Sequence, residues 1–177
     1  QNLVISLQKE TERTLDIYKM AMESVVTSMQ APRLLDLPAE TRRLIAFSAA
    51  GPATDLGVIL ATDASGKIIL DSRSIQTPNL NISQRDYFQV QRQTTEAGLY
   101  FSRPFIPLSN SAHPSIAMSL RLNGTNGDFK GVVAGTLGLN YFHRLFQDSI
   151  IGDHGTLTFM RTDGTILMRR PFRLGDV

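Results

Sequence analysis

The sequence predicts an α+β fold in which one long N-terminal helix packs on an antiparallel five-stranded sheet. Three observations carry this prediction. Apolar residues recur every three or four positions from residue 2 to about residue 30, and from residue 56 onward the spacing changes to alternation. Near the C-terminus a second strand–turn–strand pattern repeats one that lies about a hundred residues earlier.

The composition is that of an ordinary globular protein. Hydrophobic residues make up 42% of the chain, and the formal net charge is +2. The basic residues are scattered rather than clustered, so we expect no nucleic-acid partner. There is no cysteine, which excludes disulfides and thiolate metal sites and is compatible with either the cytoplasm or a bacterial periplasm. No stretch approaches the roughly 20 apolar residues that cross a bilayer. We therefore expect a soluble piece of a longer protein, with any membrane anchor outside it.

The N-terminal region, residues 1–50, is predicted to contain two helices. The apolar stripe of the first helix consists of Leu15, Tyr18, Met22, Val25 and Met29. A helix of this length spans roughly 40 Å, so we expect part of it to project as a stalk or to pack on another chain, as in a homodimer. The alternative is a helix that lies wholly on its own core. The second helix is predicted to have Asp36 near its cap and Pro38 in its first turn, and to stop near Gly51-Pro52.

The middle region, residues 51–140, is predicted to form the sheet. Residues 56–62 and 67–72 read as a hairpin around the turn Asp63-Ala64-Ser65-Gly66. Ser83 is a candidate cap for a helix from Gln84 to about Thr95. In the next strand, Leu99, Phe101, Arg103 and Phe105 are predicted to share one face.

Two further strands, residues 115–122 and 131–139, alternate cleanly between large and small side chains. The small residues Ala117, Ser119, Ala134, Thr136 and Gly138 would leave space on one face of the sheet, where a concave site can form. After a short helix from Asn140 to about Ser149, residues 162–167 echo residues 62–70. We predict that residues 141–177 are a linker helix and the start of a second, truncated subdomain, although a bare hairpin is a common pattern.

The sequence contains no enzyme motif, neither a Gly-rich phosphate loop nor a Gly-x-Ser-x-Gly elbow. His113, His143 and His154 are isolated, so no metal site and no cofactor are predicted. Asp63 and Asp163 have the positions of turn-capping aspartates rather than of acid–base catalysts. We predict that the chain is not an enzyme.

Three arginines, Arg85, Arg103 and Arg121, could point into the concave site. A guanidinium cannot lose its charge by deprotonation, so one that faces a partly buried space needs an anionic partner. A ligand carboxylate would serve. A structural carboxylate such as Asp71 or Asp86 would serve equally, and the sequence leaves both interpretations open.

Three motifs carry a resemblance to a known family: Arg85-Asp86-Tyr87-Phe88, the segment from Gly98 to Phe105, and the segment from Gly127 to Val133. With the long helix and the order of strands, almost the whole chain resembles a double Cache (PDC, PAS-like) extracytoplasmic sensor domain of bacterial transmembrane receptors. It is most similar to the sensors of diguanylate cyclases and histidine kinases.

This resemblance implies a periplasmic domain that binds a small molecule, often through its carboxylate, in the membrane-distal subdomain. It makes Arg85, Tyr87 and Phe88 candidate ligand-binding residues, and Arg103, Phe105, Arg121 and Thr136 complete the set. Amino-acid-binding members carry tyrosine and aspartates where this chain has Phe105, Pro107 and Thr136. An ammonium group would find no counter-charge there, so we expect a small organic acid rather than an α-amino acid. The alternative is a ligand-free dimerisation or protein-interaction module.

Overall fold

The computed structural model describes residues 2–51, 53, 57–107, 114–147 and 155–170. Helix α1 is Asn2–Met29 and helix α2 is Ala39–Phe47, with a short 3-10 helix, Leu34–Asp36, between them. The main sheet contains β1 (Gly57–Thr62), β2 (Ile68–Asp71), β3 (Tyr100–Phe101), β4 (Ser115–Asn123) and β5 (Phe129–Gly138), and helix α3 (Asp86–Gln93) joins β2 to β3. Helix α4 (Leu139–Gln147) follows β5, and β6 (Leu157–Met160) and β7 (Ile166–Arg170) form a separate two-stranded sheet.

The main sheet confirms the predicted α+β fold. Its five strands are antiparallel and lie in the order β2-β1-β5-β4-β3. Helix α1 packs on one face, against the larger residues of β4 and β5, and α3 packs on the other face, against the smaller ones. The alternation predicted for these two strands is therefore confirmed. Among the described residues, no helix combines the length and the hydropathy needed to cross a membrane.

Helix α1 is held on the sheet by its predicted apolar stripe. Tyr18, Met22 and Val25 are fully buried. The Tyr18 hydroxyl donates to the backbone carbonyls of Val58 in β1 and Thr136 in β5, both at 3.1 Å. Burial raises the pKa of the Tyr18 phenol well above its usual range, although the charge of Arg73 opposes the shift. The phenol is therefore a neutral donor that fixes the helix to two strands at once.

The start of α3 differs from the prediction. The Asn81 side chain accepts the Ser83 N–H at 2.8 Å, which forms a local turn. The helix consequently begins at Asp86 rather than at Gln84, and Ser83 does not cap it. Arg85 occupies the N-cap position with extended backbone and makes no side-chain cap bond, because a guanidinium can only donate hydrogen bonds.

The strand predicted over residues 99–105 is also shorter than expected. Regular pairing covers only Tyr100–Phe101, and Phe105 rejoins the sheet through a single bridge to Ser115. The Ser102 side chain accepts the N–H of Ala117 at 2.8 Å, and Pro104 has no N–H to give to a ladder. The side-chain alternation is broken between these points.

This interruption changes the face on which Phe105 lies. Leu99 and Phe101 pack against the core beneath α1, whereas Phe105 packs on the opposite side of the sheet with Tyr87. The prediction that Leu99, Phe101, Arg103 and Phe105 share one strand face is wrong. The break in alternation nevertheless places Phe105 on the side of the sheet against which α3 packs.

The C-terminal part forms the predicted strand–turn–strand unit, with Asp163 in the turn accepting the Thr165 N–H at 3.0 Å. Hydrogen bonds from Thr165, through its backbone and its side chain, lower the pKa of Asp163. The division of the chain near residues 50 and 140 stays a prediction. The second helix ends at Phe47, a few residues before the predicted stop near Gly51-Pro52. The predicted end of the linker helix at Ser149, together with His113 and His154, lies outside the described residues.

Candidate functional site

A small cavity lies beside the start of α3, between the β1–β2 hairpin and the segment that follows β3. Its volume is about 100 Å³, which is room for several water molecules or a small organic molecule. It is far below the several hundred Å³ of a drug-sized pocket. Its lining is mostly apolar and comprises Val58, Leu60, Ile68, Asp71, Pro78, Leu80, Ile82, Arg85, Tyr87, Phe105, Pro107 and Thr136.

Arg85 supplies the positive charge of this cavity. Its guanidinium carbon lies 4.8 Å from the centre of the Phe105 ring, over the ring face. One terminal nitrogen donates a long hydrogen bond of 3.4 Å to the Ile106 carbonyl. Among the described residues no carboxylate lies within ion-pair distance of this half-buried guanidinium. A charged group so placed has spare donors for an anion.

Tyr87, Phe105 and Thr136 line the same cavity as Arg85. The rings of Tyr87 and Phe105 lie 5.7 Å apart and form an apolar wall. Burial raises the pKa of the Tyr87 phenol to about 12, although the nearby Arg85 charge opposes the shift. The Thr136 hydroxyl donates to the Val58 carbonyl at 3.3 Å. The structure thus brings together four of the seven predicted site residues.

The other three predicted residues lie elsewhere. Phe88 is fully buried under α3 and meets Phe129 edge to face at 5.4 Å. Arg121 stacks over the same ring at 4.8 Å, and its guanidinium donates to the carbonyls of Gln91 and Arg92 on α3. Neither side chain lines the cavity, and both hold α3 on the sheet.

Arg103 is exposed and lines an outer hollow of about 310 Å³ that also contacts Arg85. Its backbone N–H donates to the Asp86 carboxylate at 3.0 Å, and that carboxylate also accepts the Tyr100 hydroxyl at 3.3 Å. The Tyr100 ring in turn lies under the guanidinium of Arg161, at 4.9 Å. This chain of contacts connects the start of α3 with the β6–β7 hairpin.

Two residues of this region were not predicted. Gln91 is fully buried, and its amide nitrogen donates to the carbonyls of Gly98 at 2.8 Å and Ser119 at 2.9 Å. Asp71, at the end of β2, is among the residues that line the cavity. From the sequence Asp71 was expected only as a possible structural partner for an arginine, since nothing local in the sequence places β2 beside α3.

A larger hollow, of about 790 Å³, lies at the C-terminal end of α1. Its charged side chains already have partners within the protein. Lys130 pairs with Asp128 at 2.8 Å, and Asp63 accepts the N–H groups of Ser65 and Lys67 within its own turn. The smaller cavity is the better candidate, because its arginine, Arg85, has no ion-pair partner among the described residues.

The fold is similar to that of solved sensor and ligand-binding domains. The extracellular domain of a histidine kinase, rpHK1S-Z16, is 22% identical with a TM-score of 0.73, and the alignment covers 96% of this chain and 68% of that one. The sensory domain of the Campylobacter jejuni chemoreceptor Tlp3, with isoleucine bound, is 13% identical with a TM-score of 0.68, covering 95% and 68%. The ligand-binding domain of the Pseudomonas fluorescens chemoreceptor CtaA, in complex with L-leucine, is 17% identical with a TM-score of 0.60, covering 91% and 62%.

These likenesses confirm the predicted resemblance at the level of the fold. Each of the three structures is a sensor or ligand-binding domain. The chain spans about two-thirds of each of them. No protein-family model matches the sequence, and no curated protein matches it.

Proposed function

We propose that this chain is the extracytoplasmic ligand-sensing domain of a membrane-bound signalling receptor, and that its small cavity binds a carboxylate through Arg85. The domain would lie in a bacterial periplasm, and the membrane anchor of the receptor would lie outside these 177 residues. The fold supports the sensor class, because the solved structures that share it are sensor domains. The family resemblance favours a histidine kinase or a diguanylate cyclase as the output.

The observation that carries the proposal is the Arg85 guanidinium. It lines the cavity, makes one long bond to a backbone carbonyl, and has no ion-pair partner among the described residues. A carboxylate bound there would gain a charge-assisted and bidentate contact. The Phe105 ring already holds the guanidinium in place, which lowers the entropy cost of forming that contact.

Tyr18 offers a route by which the bound state would reach α1. The two carbonyls that accept its hydroxyl belong to Val58 and Thr136, whose side chains line the cavity from the other face of the sheet. A ligand that moves β1 relative to β5 would change the geometry of both hydrogen bonds. The packing of α1 on the sheet would then differ between the free and the bound states.

The proposal is tested by calorimetric titration and thermal shift with small monocarboxylates of two to five carbons. We expect at least one acid to bind and to raise the melting temperature of the protein. The Arg85→Ala variant should lose this response, whereas Arg92→Ala, which removes an exposed guanidinium from the same helix, should keep it. A response that survives in Arg85→Ala would place the site elsewhere, and the absence of any response would count against the sensor proposal.

A second candidate function is dimerisation with another copy of the chain. Several large apolar side chains on the first two helices are exposed, among them Met20 at 68% and Leu44 at 70%. These helices pack against each other, so their exposed side chains are presented on neighbouring elements. Such side chains favour an interface with a second α1 helix.

Light scattering or sedimentation velocity tests this candidate. Truncation of residues 1–30 would remove Tyr18 and Met22 from the core, so a surface substitution is the cleaner change. We expect Met20→Glu to convert a dimer to a monomer, and Gln8→Glu, an exposed position on the same helix, to leave it unchanged. A wild-type protein that is monomeric at high micromolar concentration would exclude an interface of useful strength.

A further inference from the structure

The Asp86 carboxylate connects the start of α3 with the segment that carries Phe105. One of its oxygens accepts the backbone N–H of Tyr87 at 2.8 Å. The other accepts the backbone N–H of Arg103 at 3.0 Å and the Tyr100 hydroxyl at 3.3 Å. Both oxygens of this half-buried group are therefore satisfied by donors from three points of the chain.

The bond to Arg103 replaces a missing link between this segment and β4. The segment donates backbone hydrogen bonds to β4 at Ser102, over 2.8 Å, and again at Phe105, over 2.9 Å. Between these points Pro104 has no N–H, and the N–H of Arg103 is bonded to Asp86. The carboxylate thus acts as the partner that the strand does not supply, and it fixes the path by which Phe105 reaches the cavity.

Tyr100 continues the connection from Asp86 to the β6–β7 hairpin. Its hydroxyl accepts a hydrogen bond of 3.4 Å from the Arg161 guanidinium, which also lies 4.9 Å from the centre of its ring. Only 19% of the Arg161 side chain is exposed, and the guanidinium pairs with Asp163 in the hairpin turn at 2.9 Å. Both bonds of the hydroxyl are at the long end of the hydrogen-bond range, so a small movement of either neighbour would break one of them.

We propose that Asp86 is a positioning residue that holds Phe105 beneath the Arg85 guanidinium and ties this wall of the cavity to the β6–β7 hairpin. The tie runs through Tyr100 and Arg161. A change at either end should act at the other, because one tyrosine hydroxyl serves both. The connection is present without a ligand and goes beyond the proposed function. Only its consequence for binding rests on that function, since a fixed ring holds the guanidinium in place before a ligand arrives.

Amide hydrogen exchange of the 177-residue protein, followed by NMR at single residues, tests the proposal without a ligand. The variants are Asp86→Asn, Arg161→Met and Tyr100→Phe. Asparagine replaces one carboxylate oxygen by a donor group, so it cannot accept hydrogen bonds on both sides. Tyr100→Phe removes only the hydroxyl and leaves the ring under the guanidinium. Asp128→Asn and Arg92→Met, at exposed positions outside this group of contacts, are the matched controls.

We expect Asp86→Asn to speed exchange about fivefold at the Arg161 amide in the hairpin, with which Asp86 shares no hydrogen bond or ion pair among the described residues. Arg161→Met should have the same effect at the Phe105 amide. Both substitutions should move the side-chain resonances of Arg85, which the ring current of Phe105 displaces, toward those of an unstacked arginine. In the Tyr100→Phe background neither substitution should act on the distant amide.

The two control variants, and the interior amides of β5 in every variant, should exchange as in the wild-type protein. Substitutions that speed exchange only at their own end, or that act equally in the Tyr100→Phe background, would refute the connection. A similar increase throughout β5 would refute it as well, since the cause would then be a general loss of stability. None of these outcomes bears on the proposed function, which ligand titration decides separately.

Discussion

Gly135 in β5 is the position at which a single added methyl group should most clearly disturb the seating of α1. A Cβ atom there would lie 2.2 Å from Cε1 and 2.9 Å from Cδ1 of the Tyr18 ring, and 3.0 Å from the Met22 sulfur. The ring is not a free side-chain end, because the Tyr18 hydroxyl is bonded to two strands. The substitution Gly135→Ala therefore forces either the ring or the sheet to move.

The expected cost follows from these two routes. Displacing the ring breaks both hydrogen bonds of the Tyr18 hydroxyl, at about 1 kcal/mol each. Displacing the strand instead corresponds to overpacking a core, which costs about 1–3 kcal/mol. The lower entropy of the unfolded alanine chain offsets about 0.4–1 kcal/mol. We expect the free energy of unfolding to fall by about 1–1.5 kcal/mol.

Urea denaturation in a double-mutant cycle measures this value and assigns it to the ring. Tyr18→Ala removes the ring atoms that the new methyl group would meet. In that background only the entropy gain of alanine remains, so Gly135→Ala should raise the free energy of unfolding by about 0.4–1 kcal/mol, which gives a coupling energy of about 2 kcal/mol. Gly138→Ala on the same strand is the control, because its Cβ would approach only the Asn140 side chain.

Equal costs of Gly135→Ala in the two backgrounds would refute this reasoning, because the ring would then not be the obstacle. A large cost for Gly138→Ala would refute it in another way. It would show that β5 resists any side chain at a glycine position, irrespective of what lies against it.

Three further predictions concern the groups around α3. In the folded protein the pKa of Tyr87 is raised from about 10 to about 12, so the neutral phenol stabilises the fold below pH 10 and this stability is lost as pH rises from 10 to 12. In urea denaturation between pH 10 and pH 12, the free energy of unfolding should fall by about 1 kcal/mol more per pH unit for the wild-type protein than for Tyr87→Phe. Gln91→Met removes the amide donor to the carbonyls of Gly98 and Ser119, of which the second bond is buried, and should lower the free energy of unfolding by about 1–2 kcal/mol, against little change for the exposed Gln93→Met. Arg161→Met removes the cation above the Tyr100 ring and should speed amide hydrogen exchange in the β6–β7 hairpin, with exchange in β4 and β5 unchanged.

The elements that the sequence predicts well are those in which one period persists over many residues. The stripe from Leu15 to Met29 sets the buried face of α1, and the alternation from Ser115 to Leu122 sets both faces of β4. In each case burial of many side chains outweighs any local hydrogen bond. A pattern of this length therefore has a single packing solution.

The elements that it predicts poorly are those in which a side chain replaces a backbone partner. The Asn81 side chain accepts the N–H of Ser83, and α3 begins after this turn, at Asp86. The Ser102 side chain accepts the N–H of Ala117, and the regular pairing of β3 ends before it. Such bonds depend on local geometry and leave no periodic signal. The irregular segment after Ser102 also places Phe105 in the lining of the cavity.

The sequence predicts only those residues of the candidate site that a short motif or an alternating pattern indicates. A short motif indicates Arg85 and Tyr87, and the small-residue face of the sheet indicates Thr136. Arg121 is assigned to the site by its charge, but its hydrogen bonds are spent on the carbonyls at the end of α3. Whether an arginine has N–H donors without a partner depends on its tertiary contacts, which the number of charges in the sequence does not reveal.

The sheet order places the candidate cavity and the anchor of α1 on the same two strands. Strands β1 and β5 are neighbours, and Val58 and Thr136 line the cavity on the face that α3 covers. The Tyr18 hydroxyl bonds from the opposite face to the carbonyls of the same two residues. If the cavity binds an acid as proposed, the ligand would rest on the strands that hold α1. Recognition and transmission would then share two strands, and substitutions at Gly135 and Arg85 should separate them: the first should disturb the packing of α1, and the second the binding of the acid.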